Sequence, residues 1–180
     1  MSSKNIKIPE KVRLFFCFIY SQKHIKDLHR ALVILKKRFG EITSKTEEYY
    51  FSSITNYYDD ELGIGLKKRI FAYSLITPDK MPDIKLFTNK IEDSLMLGNR
   101  RTINIDPGYI SITNVVLLST KNFTHRIYLR KSIYAELTLI FKKDHIQEFE
   151  WTYPDFRLDI VKKFLLDERV KLLNILRIHH

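Results

Sequence analysis

Val12-Arg13-Leu14-Phe15-Phe16-Cys17-Phe18-Ile19-Tyr20 is the stretch on which the fold turns. Only Arg13 interrupts a run of apolar, β-prone side chains, and a strand that is apolar at both odd and even positions has no face to give to water. The segment predicts a central strand covered by other elements on both sides. It is not a membrane span, because the apolar run from Leu14 to Tyr20 falls far short of the roughly 20 residues a bilayer requires.

The sequence after this strand alternates period and punctuation. Ser21 is placed to cap a helix in which Ile25, Leu28, Leu32, Leu35 and Phe39 recur at spacings of three and four as far as Gly40, a C-cap residue. The opposite face of that helix carries Lys23, Lys26, Arg30, Lys36, Lys37 and Arg38, either a solvated side or a stripe facing an anion. Residues 47–54 and 68–76 read as strands, joined by the turn-rich 56–63. Pro82 opens a second helix with Ile84, Phe87, Ile91 and Leu95 inward, closing at Gly98. Residues 101–106 alternate between Ile103 and Ile105 on one face and Thr102, Asn104 and Asp106 on the other, and Pro107-Gly108 ends that strand. Residues 110–119 form the next strand, and 124–130 and 133–142 the arms of a hairpin around Lys131. A Lys- and Arg-studded helix follows over 158–180, with Ile160, Phe164, Leu165, Val170, Leu173 and Leu176 available for packing. The order predicts an α+β fold: a single domain over 1–180 in which a mixed or antiparallel sheet carries about three helices, and 1–10 form a flexible N-terminus.

Composition narrows the class. The 180 residues hold 31 Lys plus Arg against 21 Asp plus Glu, a net charge of +10, with 44% hydrophobic and 13% aromatic residues and only 5 Gly and 5 Pro. Such a chain buries an ordinary core without staples, which excludes disorder and collagen-like structure. A lone cysteine, Cys17, excludes an internal disulfide, a thiolate zinc site and an iron–sulfur cluster. With no apolar leader in 1–9, the expectation is a cytoplasmic protein without membrane contact. The positive charge attracts nucleic acid, anionic lipid or phosphorylated metabolites, although solvated lysine faces give the same balance.

The hairpin puts polar groups together. Centring it on Lys131 opposes Arg126 to Glu136, Tyr128 to Tyr134 and Thr124 to Thr138 on one face, leaving Ile127, Leu129, Ala135 and Leu137 for the core. If Asn104 and Asp106 share the polar side, the sheet displays carboxylate, guanidinium and phenol groups as a pocket floor; the alternative is cross-strand pairing on a solvated face. His125 supplies an imidazole that can titrate near neutrality beside Asp106 or Asp155, or is a structural histidine bonded to a carbonyl. In an extended strand its side chain points away from that of Arg126 unless a bulge intervenes. Trp151-Thr152-Tyr153-Pro154-Asp155-Phe156-Arg157 gathers aromatic rings, an acid and a guanidinium ahead of the last helix. Trp151 and Phe156 suit the core, while Tyr153, Asp155 and Arg157 suit ligand contacts.

Familiar phosphate and nucleophile signatures are missing. There is no Gly-x-x-x-x-Gly-Lys-Ser/Thr loop, Gly63-Ile64-Gly65 lacks a third glycine, and neither Gly-x-Ser-x-Gly nor His-Glu-x-x-His occurs. Thr88-Asn89-Lys90-Ile91-Glu92 imitates a guanine-reading motif but has no phosphate loop to work with.

Several segments carry a family resemblance: Asp83-Ile84-Lys85-Leu86-Phe87-Thr88-Asn89, Asn104-Ile105-Asp106-Pro107-Gly108-Tyr109, His125-Arg126-Ile127-Tyr128-Leu129, Tyr134-Ala135-Glu136-Leu137-Thr138-Leu139 and the Trp151–Arg157 stretch. Together they resemble the prokaryotic proteins grouped as domain of unknown function 4416, from about Leu14 to Arg157. The chain departs from the family pattern at the hairpin turn, where Arg130 and Ser132 stand in place of expected glycines. The resemblance implies a single-domain bacterial cytoplasmic protein and supplies no reaction or cofactor.

The leading expectation is a domain that binds an anionic ligand, a nucleotide or nucleic acid, on the polar sheet face. Asn104, Arg126, Tyr128, Tyr153, Asp155 and Arg157 are the candidate contacts, with Arg126 and Arg157 on phosphate. The alternative is a small hydrolase or transferase acting on a phosphorylated substrate, with His125 as base and Asp106 or Glu136 as acid or metal ligand; no defined metal site is assigned. A third reading is a non-catalytic module whose basic helices dock on an acidic partner.

Overall fold

A computed structural model of the protein describes residues 8–178, so most of the N-terminal segment expected to be flexible, and the last two residues of the span 158–180 expected to be helical, lie outside the described residues. The first strand, β1 (Val12–Tyr20), is buried at every position and lies in the middle of the sheet. Strands β2 (Ser44–Lys45), β3 (Tyr49–Tyr50), β4 (Lys67–Ile76), β5 (Ile103–Ile110), β6 (Asn114–Ser119), β7 (Arg126–Arg130), β8 (Ile133–Phe141) and β9 (Ile146–Gln147) complete it. The order is β2-β4-β1-β5-β6-β8-β7, with β3 also on β4 and β9 on β8, and every pairing is antiparallel.

Both faces of β1 are used, as its lack of alternation requires. Leu14, Phe16, Phe18 and Tyr20 pack against helices α1 (Ile25–Phe39) and α3 (Met81–Ser94) through Leu28, Ala31, Leu35, Ile84 and Ile91. Phe15 and Cys17 face the opposite way, towards Phe156 and the Val161, Phe164 and Leu165 stripe of helix α4 (Asp159–Ile178). Ile19 meets Phe51, Leu62 and Leu66 of a strap, residues 51–66, that contains the short helix α2 (Asp59–Leu62). Each large side chain so buried contributes about 1.5–3 kcal/mol, which makes β1 the strand the fold is built on.

Several boundaries differ from the sequence reading. The strand expected over 47–54 shrinks to β3, because Phe51 turns away and the strap begins; the Phe51 N–H bonds the Leu66 carbonyl at 2.7 Å, closing the strap's base as an Ω-loop. Helix α1 is entered through a 3-10 turn, Gln22–His24, capped by the Ser21 carbonyl, while the Ser21 hydroxyl makes no bond. Val170 faces solvent, and Leu172 takes the buried position on α4.

The hairpin register is as read, Arg126 opposite Glu136 and Tyr128 opposite Tyr134, but a bulge between Tyr128 and Arg130 leaves Lys131 and Ser132 as a two-residue turn. Both have positive φ, 54° and 59°, as a type I′ turn demands. The apolar side of β7 does not reach the core: Ile127 is 69% exposed and Leu129 41%, because β7 is the sheet's last strand.

Strand β5 is the departure that matters. It continues through Pro107 and Gly108 to Ile110, paired along its length with β1. A Cβ on Gly108 would stand 2.3 Å from the Phe15 ring and 2.8 Å from the Val116 carbonyl, so only glycine allows β1, β5 and β6 to approach here. What stops at Pro107 is the pairing with β6, which covers only Gly108↔Leu117, Tyr109↔Val116 and Ile110↔Val115. By the two-residue period the backbone groups of Ile105, Pro107 and Tyr109 face β6, and proline has no N–H to continue the ladder. Below Pro107 the two strands part.

Candidate functional site

The fork between β5 and β6 opens into a cavity of about 590 Å³, closed on its outer side by the strap and by residues 153–156. Helix α3 reaches it from the far face of the sheet. The Ile105 N–H, which would have met β6, is taken by the Glu92 Oε1, and the Lys85 ammonium stands 3.5 Å from the Ile105 carbonyl and 2.9 Å from Asp106 Oδ1. Side chains of α3 thus satisfy the backbone that the fork exposes.

The walls carry paired charges. Lys68, on β4, meets Asp155 Oδ2 at 2.6 Å, and Tyr49 donates to the same oxygen at 3.1 Å. Arg101 links Glu92 Oε2 (3.1 Å) and Asn104 Oδ1 (3.0 Å), and Asn104 donates to Asp106 Oδ2 at 2.6 Å. The same guanidinium grips Glu61 of α2 with two bonds of 2.6 Å, fastening the strap over the cavity. A second tie joins the Lys121 ammonium to the Tyr57 hydroxyl at 3.2 Å. Tyr57, Tyr58, Phe51, Tyr153 and Phe156 supply aromatic surface between these groups.

Electrostatics separate the carboxylates. Burial, with Asp106 nearby, pushes the Glu92 carboxyl up to about 7 against the opposing pull of Lys85, the Ile105 N–H and Arg101. Burial also opposes ionisation of Asp106, but Lys85 and the Asn104 amide outweigh it and hold that carboxyl below the usual aspartate range. Burial disfavours the charge on Lys68, yet Asp155 more than compensates and keeps the ammonium above its ordinary value. Burial pushes the Cys17 thiol, on the cavity floor, up to about 12, so it stays protonated and unreactive. Burial likewise raises the Tyr58 and Tyr153 phenols, which remain donors.

Of the residues singled out from the sequence, Asn104, Asp106, Arg126, Glu136, Tyr153 and Asp155 line this one cavity. They arrive from β5, β7, β8 and the turn before α4. His125 stands behind the lining: its Nε2 faces Glu136 Oε2 at 3.2 Å and its ring stacks on Trp151, 4.9 Å between centroids. A turn closed by the Arg126 N–H and the Phe123 carbonyl aims His125 and Arg126 at one carboxylate, which strict strand alternation would forbid. Tyr128 is not part of the site; it is 58% exposed on β7 and packs on Tyr134. Arg157 is absent from it too, because its guanidinium is spent on the carbonyls of Thr152, Phe149 and Glu150 and on Glu148. Arg126 is held by Glu136, the Lys121 carbonyl and the Tyr153 hydroxyl, so a phosphate would have to compete for it.

Sequence reading missed Lys68, Lys85, Glu92, Arg101 and Lys121. Lys85, Thr88 and Glu92 recur at spacings of three and four on α3 and are buried, a polar stripe beside the apolar one that could have been found. Lys68 sits at the start of a strand within the cationic run Lys67-Lys68-Arg69, which reads as exposed. The Asn89 and Glu92 of the guanine-like motif do line the cavity, but from within a helix. Among the described residues no group of three or more His, Cys, Asp or Glu side chains is placed to hold one metal ion, and no helix is long and apolar enough to cross a membrane. A second hollow of about 500 Å³ beside α1 has its central Tyr20 hydroxyl already bonded to Glu48 at 2.5 Å.

The fold and site define an α+β domain with a forked antiparallel sheet and a charge-lined cavity at the fork. The chain belongs to the family described as a domain of unknown function, DUF4416, whose model matches residues 10–171. No curated protein and no solved structure matches it.

Proposed function

We propose that this protein binds a small anionic organic ligand of mononucleotide size in the fork cavity. The observation that carries the reading is the gathering of three ion pairs around a single hollow where the sheet is parted: Lys68–Asp155 is buried, and Lys85–Asp106 and Arg101–Glu92 each bury one partner. Buried pairs of this kind seldom add net stability over apolar packing, so a cavity built from them is explained by what it holds. Its volume is that of a small-molecule site, its tyrosines and phenylalanines offer faces for a ring, and Lys121 is a cation at the mouth with no carboxylate partner among the described residues. A recess of this volume, rather than an extended groove, favours a nucleotide over a nucleic-acid strand. A bacterial, cytoplasmic setting is part of the same proposal, supported by the single reduced Cys17.

The test is a thermal-shift series with nucleoside monophosphates, other phosphorylated metabolites and short RNA and DNA, on the wild type and on Lys121→Ala. A ligand at 100 times its dissociation constant stabilises the fold by about 2.7 kcal/mol, a rise of about 5–10 °C for a domain of this size. A nucleotide shift that is reduced in Lys121→Ala supports the reading; no shift from any nucleotide overturns it.

One observation favours the hydrolase or transferase reading as well. Glu92, with a carboxyl near 7, and Asp106, held ionised, are two acids of one site driven apart by their surroundings, the arrangement that acid–base chemistry uses. In that reading Glu92 takes the proton-handling role first assigned to His125, and turnover of a bound phosphoester that is lost in Glu92→Gln is its test.

A further inference from the structure

Glu136 is the lining acid with a buried oxygen that has no hydrogen-bond partner among the described residues. It is 1% exposed. Its Oε2 accepts from Arg126 Nε at 2.7 Å, faces His125 Nε2 at 3.2 Å and meets the Tyr153 hydroxyl at 3.4 Å, whereas Oε1 receives nothing. A carboxylate oxygen withdrawn from water and left without a donor is unfavourable, and a donor on a ligand would satisfy it with a charge-assisted bond. The cation beside it is Arg126, a lining residue whose guanidinium has five N–H donors and uses three of them, on Glu136 Oε2, the Lys121 carbonyl and the Tyr153 hydroxyl. The acceptor awaiting a donor therefore lies next to a cation that an anionic group of the ligand can approach.

We propose that Glu136 reads a ring hydroxyl of the bound nucleotide's sugar and makes the cavity selective for nucleotides that carry the 2′- and 3′-hydroxyls over those that lack them. This rests on the nucleotide reading above. The spacing selects the hydroxyl: the ligand's donor must lie close to its anionic group, and in a nucleotide the ring hydroxyls sit on the sugar that carries the phosphate, while base amines lie at the far end. The aromatic side chains remain for the base. The other acids drawn into the cavity wall are occupied, Glu92 by Arg101 and the Ile105 N–H, Asp106 by Lys85 and Asn104, and Asp155 by Lys68 and Tyr49. A site built to bond a hydroxyl discriminates strongly against the analogue lacking it, because its own buried group is then left unpaired.

Isothermal titration of the full chain with AMP, GMP, CMP and UMP, and with the 2′,3′-dideoxy form of each, tests the assignment. The expected result is a ribonucleotide preference of about ten- to a hundredfold, the worth of one hydrogen bond to a charged group. In Glu136→Gln that ratio falls towards one, and in Tyr128→Ala, on the exposed hairpin, it is unchanged. Equal affinity for the ribo and dideoxy forms in the wild type overturns the role of Glu136 and leaves the nucleotide reading standing. Binding of neither form overturns both. The wild-type comparison alone decides the matter if Glu136→Gln does not fold.

Discussion

Replacing Glu92 by glutamine isolates the electrostatic cost of the fork. The side chain lies between Lys85, Asp106 and Arg101 and accepts from the Ile105 N–H, and glutamine keeps an acceptor for that N–H. In the unfolded chain a glutamate loses its proton near 4.5, but in the fold burial moves that event to about 7. Across this window the folded protein keeps a proton that the unfolded chain has released, so stability falls as pH rises from 4.5 through 7 and levels off above. At about 1.4 kcal/mol per pH unit the loss amounts to about 3 kcal/mol. Urea unfolding of the wild type and Glu92→Gln between pH 4.5 and 8 checks this. Whatever constant amount the substitution costs through the weaker bond to Arg101, the difference between the two stability curves must grow with pH in the variant's favour by about 3 kcal/mol. Parallel curves would refute the reasoning, because they would mean that Glu92 is ionised in the fold at its ordinary pH and that the fork is wetter than its burial implies.

Three further substitutions probe the frame around the cavity. Gly108→Ala forces a methyl into the Phe15 ring and the Val116 carbonyl and should cost about 3 kcal/mol or more, visible as a large drop in melting temperature. Ser132→Gly removes a side chain from a position with φ of 59° and should stabilise the hairpin by about 1 kcal/mol in chemical denaturation; a destabilised variant would mean that the turn is not type I′. Lys68→Met strands the buried Asp155 and should cost about 3–5 kcal/mol, whereas adding Asp155→Asn should restore most of it; equal losses in the single and double variants would show that the pair is not coupled.

Sequence by itself determined the frame. An apolar run at every position of 12–20 has only one stable setting, the middle of a covered sheet, and the three- and four-residue spacings of α1 and α3 fixed which faces cover it. Alternation along β5 and the opposition of Arg126 to Glu136 were legible for the same reason, since side-chain direction in a strand depends only on parity. Tyr128 and Arg157 fall outside the cavity because parity says which way a side chain points and not what lies beyond it: the middle of β7, residues 127–129, stays exposed at the sheet's edge, and the carbonyls of 149–152 claim the Arg157 guanidinium. The cavity itself was decided in three dimensions. It exists because Pro107 cannot extend the ladder to β6, and Pro107 read along the chain as the end of a strand rather than the parting of two. Once the strands part, the exposed backbone of Ile105 draws Lys85 and Glu92 through from the far face of the sheet. Burial of charge depends on distances between segments far apart in sequence, so only the tertiary structure could bring Lys68 to Asp155 and leave one oxygen of Glu136 without a donor.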